Sequence, residues 1–169
     1  MKYGGDGEMK HTLAVLVENH PGVLSRVSGL FSRRGYNIES LVVSETEDSS
    51  VSRMTIVVSG DKAIIEQVTK QLNKLIDVIK VTDLTNEEAV NRQLLLVRVA
   101  ADNTTRGEIV QLMDIFRARV VDIGRRSMVI EATGDEKKIQ AIIKSLQPFG
   151  IQELAKTGTL AMLRGSKEK

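Results

Sequence analysis

The sequence predicts an α+β protein made of two tandem βαββαβ units. Three observations carry this. Strand-like and helix-like apolar patterns follow one another in the order βαββαβ, and that order then repeats. The same dipeptide precedes the second helix of each unit, Gly60-Asp61 in the first and Gly134-Asp135 in the second. The composition is 41% hydrophobic but only 3% aromatic, so the core must come from Val, Ile and Leu, which suit strands and helix stripes.

In the first unit, "TLAVLVE" (12–18) is a short, nearly all-apolar strand. A helix from Gly22 to about Arg34 puts Val23, Leu24, Val27, Leu30 and Phe31 on one face. Pro21 stands near the first helical position, where its missing N–H costs nothing, and Gly35 closes the helix as a left-handed cap. "NIESLVVSE" (37–45) and "VSRMTIVVS" (51–59) form a hairpin across the polar loop "TEDSS" (46–50). The second helix, from Asp61, carries Ile64, Ile65, Val68, Leu72 and Leu75, and "IDVIKVTDL" (76–84) is the closing strand.

The polar stretch "TNEEAVNR" (85–92) reads as a linker. Beyond it, "QLLLVRVA" (93–100) is a strand and "DNTTRGE" (102–108) a turn into a helix bearing Ile109, Leu112, Met113 and Phe116, with Asn103 as its cap. "VVDI" (120–123) and "MVIEAT" (128–133) flank the turn "GRRS", the helix "GDEKKIQAIIKSLQ" (134–147) follows, and "GIQELAKT" (150–157) closes the unit. The domains are therefore 11–84 and 93–169, the latter ending in a short polar tail, after a Gly-rich, flexible lead-in over 1–10. Each unit folds as a four-stranded antiparallel sheet with both helices on one face, the ferredoxin-like arrangement. Its other sheet face is left open, and a unit of this size is expected to cover it by oligomerising.

Several function classes are excluded or disfavoured. Without cysteine there is no disulfide, thiolate nucleophile or typical zinc site, and the chain fits a reducing cytoplasm. A net charge of +2 argues for neither nucleic acid nor membrane, and no apolar run reaches spanning length. The two histidines, His11 and His20, form no metal set, and His20 beside Pro21 reads as a solvated loop residue. Glu18, Glu39 and Asp122 lack the spacing of a paired acid and base, "GGDGE" (4–8) is no phosphate loop, and Arg125-Arg126 reads as a solvated turn. No catalytic constellation emerges, and no metal site.

One stretch remains, "VENHPGVLSRVSGLF" (17–31). A strand-to-helix turn carrying Asn19, Pro21 and Gly22 is sound turn chemistry by itself. It is also a place for a small carboxylate. The helix start offers unpaired N–H groups, Gly22 lets a ligand approach the backbone, and Asn19 both donates and accepts. The residues alone leave both readings standing.

A resemblance decides between them. "VENHPGVLSRVSGLFSRRGYNIESLVV" closely resembles the regulatory (small) subunit family of acetohydroxyacid synthase, also called acetolactate synthase, and the first unit resembles its ACT domain. The likeness continues through "SRMTIVVSGD" and "QVTKQLNKLIDVIKV", and more loosely through "LLLVRV", "IFRARVVDIG" and "ELAKTG". The resemblance implies a non-catalytic, cytoplasmic subunit that activates a catalytic large subunit and transmits feedback inhibition by valine or another branched-chain amino acid. It implies at least a homodimer, with the effector bound between two ACT domains. The effector turn maps onto Asn19, His20, Pro21, Gly22, Val23 and Leu24, and a second polar contact, reaching across the dimer, onto Asn37 beside Ile38. Relatives carry other residues where this chain has His20-Pro21, which puts the weight on Asn19, Gly22 and Asn37. No cofactor belongs to this chain. Thiamine diphosphate, Mg and FAD are implied for the catalytic subunit.

The competing reading is an RNA-binding module on the same strand order. Such modules stack bases on aromatics of the two central strands. The corresponding strands here, "TLAVLVE" and "VSRMTIVVS", have none. A small acylphosphatase-like enzyme shares the architecture, but no catalytic cluster supports it.

Overall fold

The computed structural model describes residues 9–165. Most of the lead-in and the last residues of the polar tail lie outside them. The first unit contains β1 (Lys10–Glu18), α1 (Val23–Arg33), β2 (Asn37–Glu45), β3 (Val51–Ser59), α2 (Lys62–Asn73) and β4 (Val78–Asp83). Its strands form an antiparallel sheet in the order β2-β3-β1-β4. Register follows the apolar alternation: Leu13 faces Ile56, and Val15 lies between Met54 and Val81. The core gathers Leu13, Val15 and Val17 of β1, Met54, Ile56 and Val58 of β3, and the buried stripes of both helices. On α1 that stripe is Val23, Val27, Leu30 and Phe31, spaced at the helical period. Gly35, at φ 66°, lets the chain leave the helix in the left-handed region. Phe31 then meets Tyr36 edge-on at 6.4 Å.

The second unit repeats this plan with β5 (Ala89–Ala100), α3 (Arg106–Phe116), β6 (Arg119–Ile123), β7 (Ser127–Gly134), α4 (Glu136–Leu146) and β8 (Ile151–Lys156). Its strand order is β6-β7-β5-β8. The repeated Gly-Asp dipeptides have the same task. Asp61 accepts a hydrogen bond from Ile64 N at 2.9 Å and Asp135 from Lys138 N at 2.8 Å, each capping its helix. The fold is thus α+β with two antiparallel βαββαβ sheets.

The structure differs from the sequence reading at four places. Pro21 precedes the helix rather than entering it, because Gly22 is the N-cap. Asn103 does not cap α3. The carboxylate of Asp102 accepts from the N–H groups of Thr104 and Thr105 instead, while Asn103 accepts from Arg106. β5 begins at Ala89, inside the stretch read as a linker. Finally, the segment read as the second domain's tail contains a ninth strand, β9 (Leu160–Leu163), which pairs with β5. Among the described residues, those up to Val90 and those from Thr159 form one compact unit, and Asn91–Gly158 the other.

The return of β9 changes the first unit's open face. Side chains alternate across a strand, so Ala14 points away from the helices while Leu13 and Val15 point toward them. Ala14, Leu84 and Ala161 form a small buried cluster there. Arg53 Nη2 donates to the carbonyl of Ala161 at 2.7 Å, and the N–H of Thr159 donates to Ser40 Oγ at 2.9 Å. Part of the face expected to need a neighbour is covered by the chain itself. Thr55, opposite Ala14 on β3, is buried, and its hydroxyl has no hydrogen-bond partner among the described residues.

Candidate functional site

A cleft of about 410 Å³ opens beside the turn between β1 and α1. Val17 to His20 form one wall, Val23 and Leu24 the start of the helix above it, and Val43 to Glu45 with Ser52 and Met54 the floor and far side. The pairings of Val43 with Met54 and Glu45 with Ser52 hold that floor. The cleft thus joins apolar side chains from β1, α1, β2 and β3 with polar ones from the turn and the strand ends.

The sequence folds this way because the turn is tied down from three sides. The backbone N–H of Asn19 donates to Ser50 O and its side-chain amide to Ser49 O, both at 2.8 Å, which fixes the turn to the β2–β3 loop. Gly22 takes φ 88°, a conformation that side chains with a Cβ rarely adopt, and starts the helix without a side-chain acceptor for its first N–H groups. α2 and α4 supply that acceptor with an aspartate, whereas α3, with Thr105 at its N-cap, has none. α1 keeps its first-turn donors and its partial positive charge without one.

The third tie is electrostatic. Asp77, between α2 and β4, is only 4% exposed. One oxygen of its carboxylate accepts from Arg26 Nε at 2.6 Å, and the other lies 2.9 Å from His20 Nε2. The same ring nitrogen is 3.1 Å from Glu18 Oε2. The backbone adds a bond from Glu18 N to Asp77 O at 2.9 Å. Arg26 holds the Asp77 carboxyl below the usual carboxylate range. His20 is raised above the ordinary imidazole value, first by its contact with the Pro21 carbonyl, then by the bond to Glu18, with the charges of Asp77 and Glu18 adding. Glu18, His20 and Asp77 lie close enough to resemble a metal-ligand set, but Arg26 and the imidazole occupy both oxygens of Asp77.

The structure brings Asn19, His20, Val23 and Leu24 to the cleft, with Pro21 and Gly22 forming the turn behind them. It does not bring Asn37 or Ile38 there within one chain. They begin β2, whose other end lines the cleft. Asn37 donates to Glu39, and Ile38 packs against the core. His20 is exposed in its turn, as the sequence reading has it, and its Nε2 also lies within reach of two carboxylates. Sequence reasoning missed Arg26 and Asp77. The available signals were an arginine four residues after Gly22, where a helix folds it back over its own start, and an aspartate interrupting "IDVI".

Comparison with known proteins matches both halves of the chain. Residues 13–80 match the family described as AHAS small subunit-like ACT domain, and residues 92–165 the one described as small subunit of acetolactate synthase. The chain is 61% identical over 160 residues to a probable acetolactate synthase small subunit of Archaeoglobus fulgidus, covering 95% of this chain and 100% of that protein. It is 52% identical over 162 residues to the acetolactate synthase small subunit of Mycolicibacterium smegmatis, covering 96% and 95%. The crystal structure of the acetolactate synthase small subunit from Thermotoga maritima superposes with a TM-score of 0.85 at 42% identity, covering 92% of this chain and 97% of that one. None of the helices among the described residues is long and apolar enough to cross a membrane. Two family matches that together span both units, and relatives matched over nearly their whole length, show that the chain belongs to the acetolactate synthase small subunits, the regulatory, non-catalytic ACT-domain partners in branched-chain amino acid biosynthesis.

Proposed function

We propose that this subunit activates the cytoplasmic catalytic large subunit of acetolactate synthase and imposes feedback inhibition when valine, or another branched-chain amino acid, binds the cleft beside α1 in a dimer of ACT domains. The observation that carries the reading is the start of α1, without a side-chain cap, beside a cleft that Val23, Leu24, Val43 and Met54 help to line. The carboxylate meets the first-turn N–H groups, and the branched side chain lies among Val23, Leu24, Val43 and Met54. Asn37 comes from the second copy, which suits its distance from the turn in its own chain. An effector touching both copies binds one dimer arrangement better than another, and that difference in affinity is the allosteric signal. Thiamine diphosphate, Mg and FAD belong to the catalytic subunit. The second unit is not a second effector site: the turn before α3 has no counterpart of Gly22 and holds the Asp102 carboxylate just ahead of the helix, where it would repel a second carboxylate. It couples the first unit to the enzyme.

The test is calorimetric titration with valine, leucine and isoleucine, alongside large-subunit activity across a valine series. Gly22→Asp places a side chain and a negative charge at the carboxylate position. It should lose valine binding and inhibition while activation survives. Mixing Gly22→Asp with Asn37→Ala chains should restore one intact site per heterodimer. A Gly22→Asp protein that titrates valine like the parent places the site elsewhere.

A further inference from the structure

The effector motif ends with the first turns of α1, yet its conformation is held by a residue some fifty positions away. Asp77 is buried, and both carboxylate oxygens are engaged by residues of the turn and helix, His20 on one and Arg26 on the other. Arg26 is the group that a Cβ at Gly22 would meet, at 3.1 Å from Nη1. The guanidinium thus packs against the Gly22 backbone. Of the three groups only His20 changes charge near neutral pH.

We infer that Asp77 is the positioning residue of the effector turn, acting through His20 and Arg26, and that effector affinity follows the proton on His20. The inference rests on the reading that the cleft binds a branched-chain amino acid. Protonated, the imidazole turns its one Nε2–H toward Asp77 and Glu18 and its Nδ1–H toward the Pro21 carbonyl, so its charge holds both carboxylates, closes the turn and places a positive charge on the cleft wall. Neutral, the ring with its proton on Nε2 has neither the charge nor an Nδ1–H, so both carboxylates are held more weakly and the Pro21 carbonyl loses its donor. The effector carboxylate stabilises the protonated ring further, so binding takes up protons and affinity falls as pH rises past the His20 transition. Other charged groups surround the ring. Glu18 ends β1, Asp77 precedes β4, Arg26 stands on α1, and Glu45 lines the same cleft from β2. Asp48, in the β2–β3 loop, is held ionised by its bonds to Ser50. Asp77 and Asp48 are both held below the usual carboxylate range, by Arg26 and by Ser50, and His20 is raised toward the working range.

The experiment measures valine affinity by calorimetry from pH 6.5 to 8.5 on the intact subunit, in buffers of different ionisation enthalpy. The wild-type dissociation constant should rise about threefold or more over that range, with proton uptake on binding; each pKa unit gained by His20 on binding corresponds to about tenfold. His20→Gln keeps a hydrogen-bonding side chain but no proton to gain. It should show neither the slope nor the uptake beyond what the valine ammonium contributes in both proteins. Asp77→Asn should weaken binding at every pH. The effector-free ring, followed by NMR, should titrate above the ordinary imidazole value in wild type and move back toward it in Asp77→Asn. A His20→Gln protein with the wild-type slope, or a His20 titration unmoved by Asp77→Asn, overturns the inference. Absence of valine binding at every pH overturns the cleft assignment itself, and the NMR comparison still judges the role of Asp77.

Discussion

At Asp77 and His20 the pH windows of the turn can be worked out with their signs. Asp77 is lowered from 3.8, so its contribution to the folded state is present above that value and is lost as pH falls through its lower folded value. His20 is raised from 6.5, so its contribution is complete below that value and is lost as pH rises through its higher folded value. The turn is therefore best held between these limits. Thr55 makes a different prediction. Its hydroxyl is buried without a partner, and valine has nearly the same shape. Thr55→Val should raise unfolding free energy by about 1 kcal/mol, read as a higher denaturation midpoint. A lower midpoint would mean that the hydroxyl finds a partner in solution. Gly22 was legible because its role is local turn chemistry, and Asn19 because it stands in the same turn, although its bonds reach Ser49 and Ser50 of the β2–β3 loop. Asp77 was hidden because its role exists only after the fold sets the start of β4 beside the end of β1, a relation that no spacing along the chain encodes.

Among the elements, the helices were legible and the last strand was not. The stripe on α1 and the Gly-Asp starts of α2 and α4 are short-range patterns that specify their own structure. β9 is four residues long, too short to alternate convincingly. It becomes a strand because β5 pairs with it, and just past its end Arg164 N donates to Glu88 O at 2.9 Å. The same lack of a local signal made Ala89 to Arg92 read as linker rather than as the start of β5. The importance of β9 is measurable. Ala161 is 4% exposed against Ala14 and Leu84, so Ala161→Asp buries a carboxylate among apolar groups. The cost should be about 2 kcal/mol or more, seen as an earlier thermal transition of the first unit. Met162→Asp, at an exposed neighbouring position, should change little. Equal effects would mean that β9 is not seated on the sheet.

For the molecule as a whole, the repeat produces two similar units with unequal equipment. Both α1 and α3 start without a side-chain cap, but α1 follows Gly22 in the left-handed region while α3 follows a turn that holds the Asp102 carboxylate. A truncation near Thr85 should still activate the large subunit in part yet respond poorly to valine, if the second unit provides the coupling. That truncation also removes β9. Deleting 159–169 alone separates the two causes, and this shorter deletion should retain more of the valine response. Activity of the large subunit across a valine titration makes the comparison. Matching loss in both would assign the coupling to β9 rather than to the second unit.

The position of β9 also sets a timetable for synthesis. The ribosome makes the first unit's sheet and helices, then all of Asn91–Gly158, and only then the strand that covers Ala14 and Leu84. At about 5–20 residues per second, the intervening stretch delays that cover by roughly 3–14 s. Throughout that interval the nascent first unit presents an apolar patch that the finished protein hides. A chaperone, or another nascent copy made on the same message, meets a surface that never exists in the mature subunit.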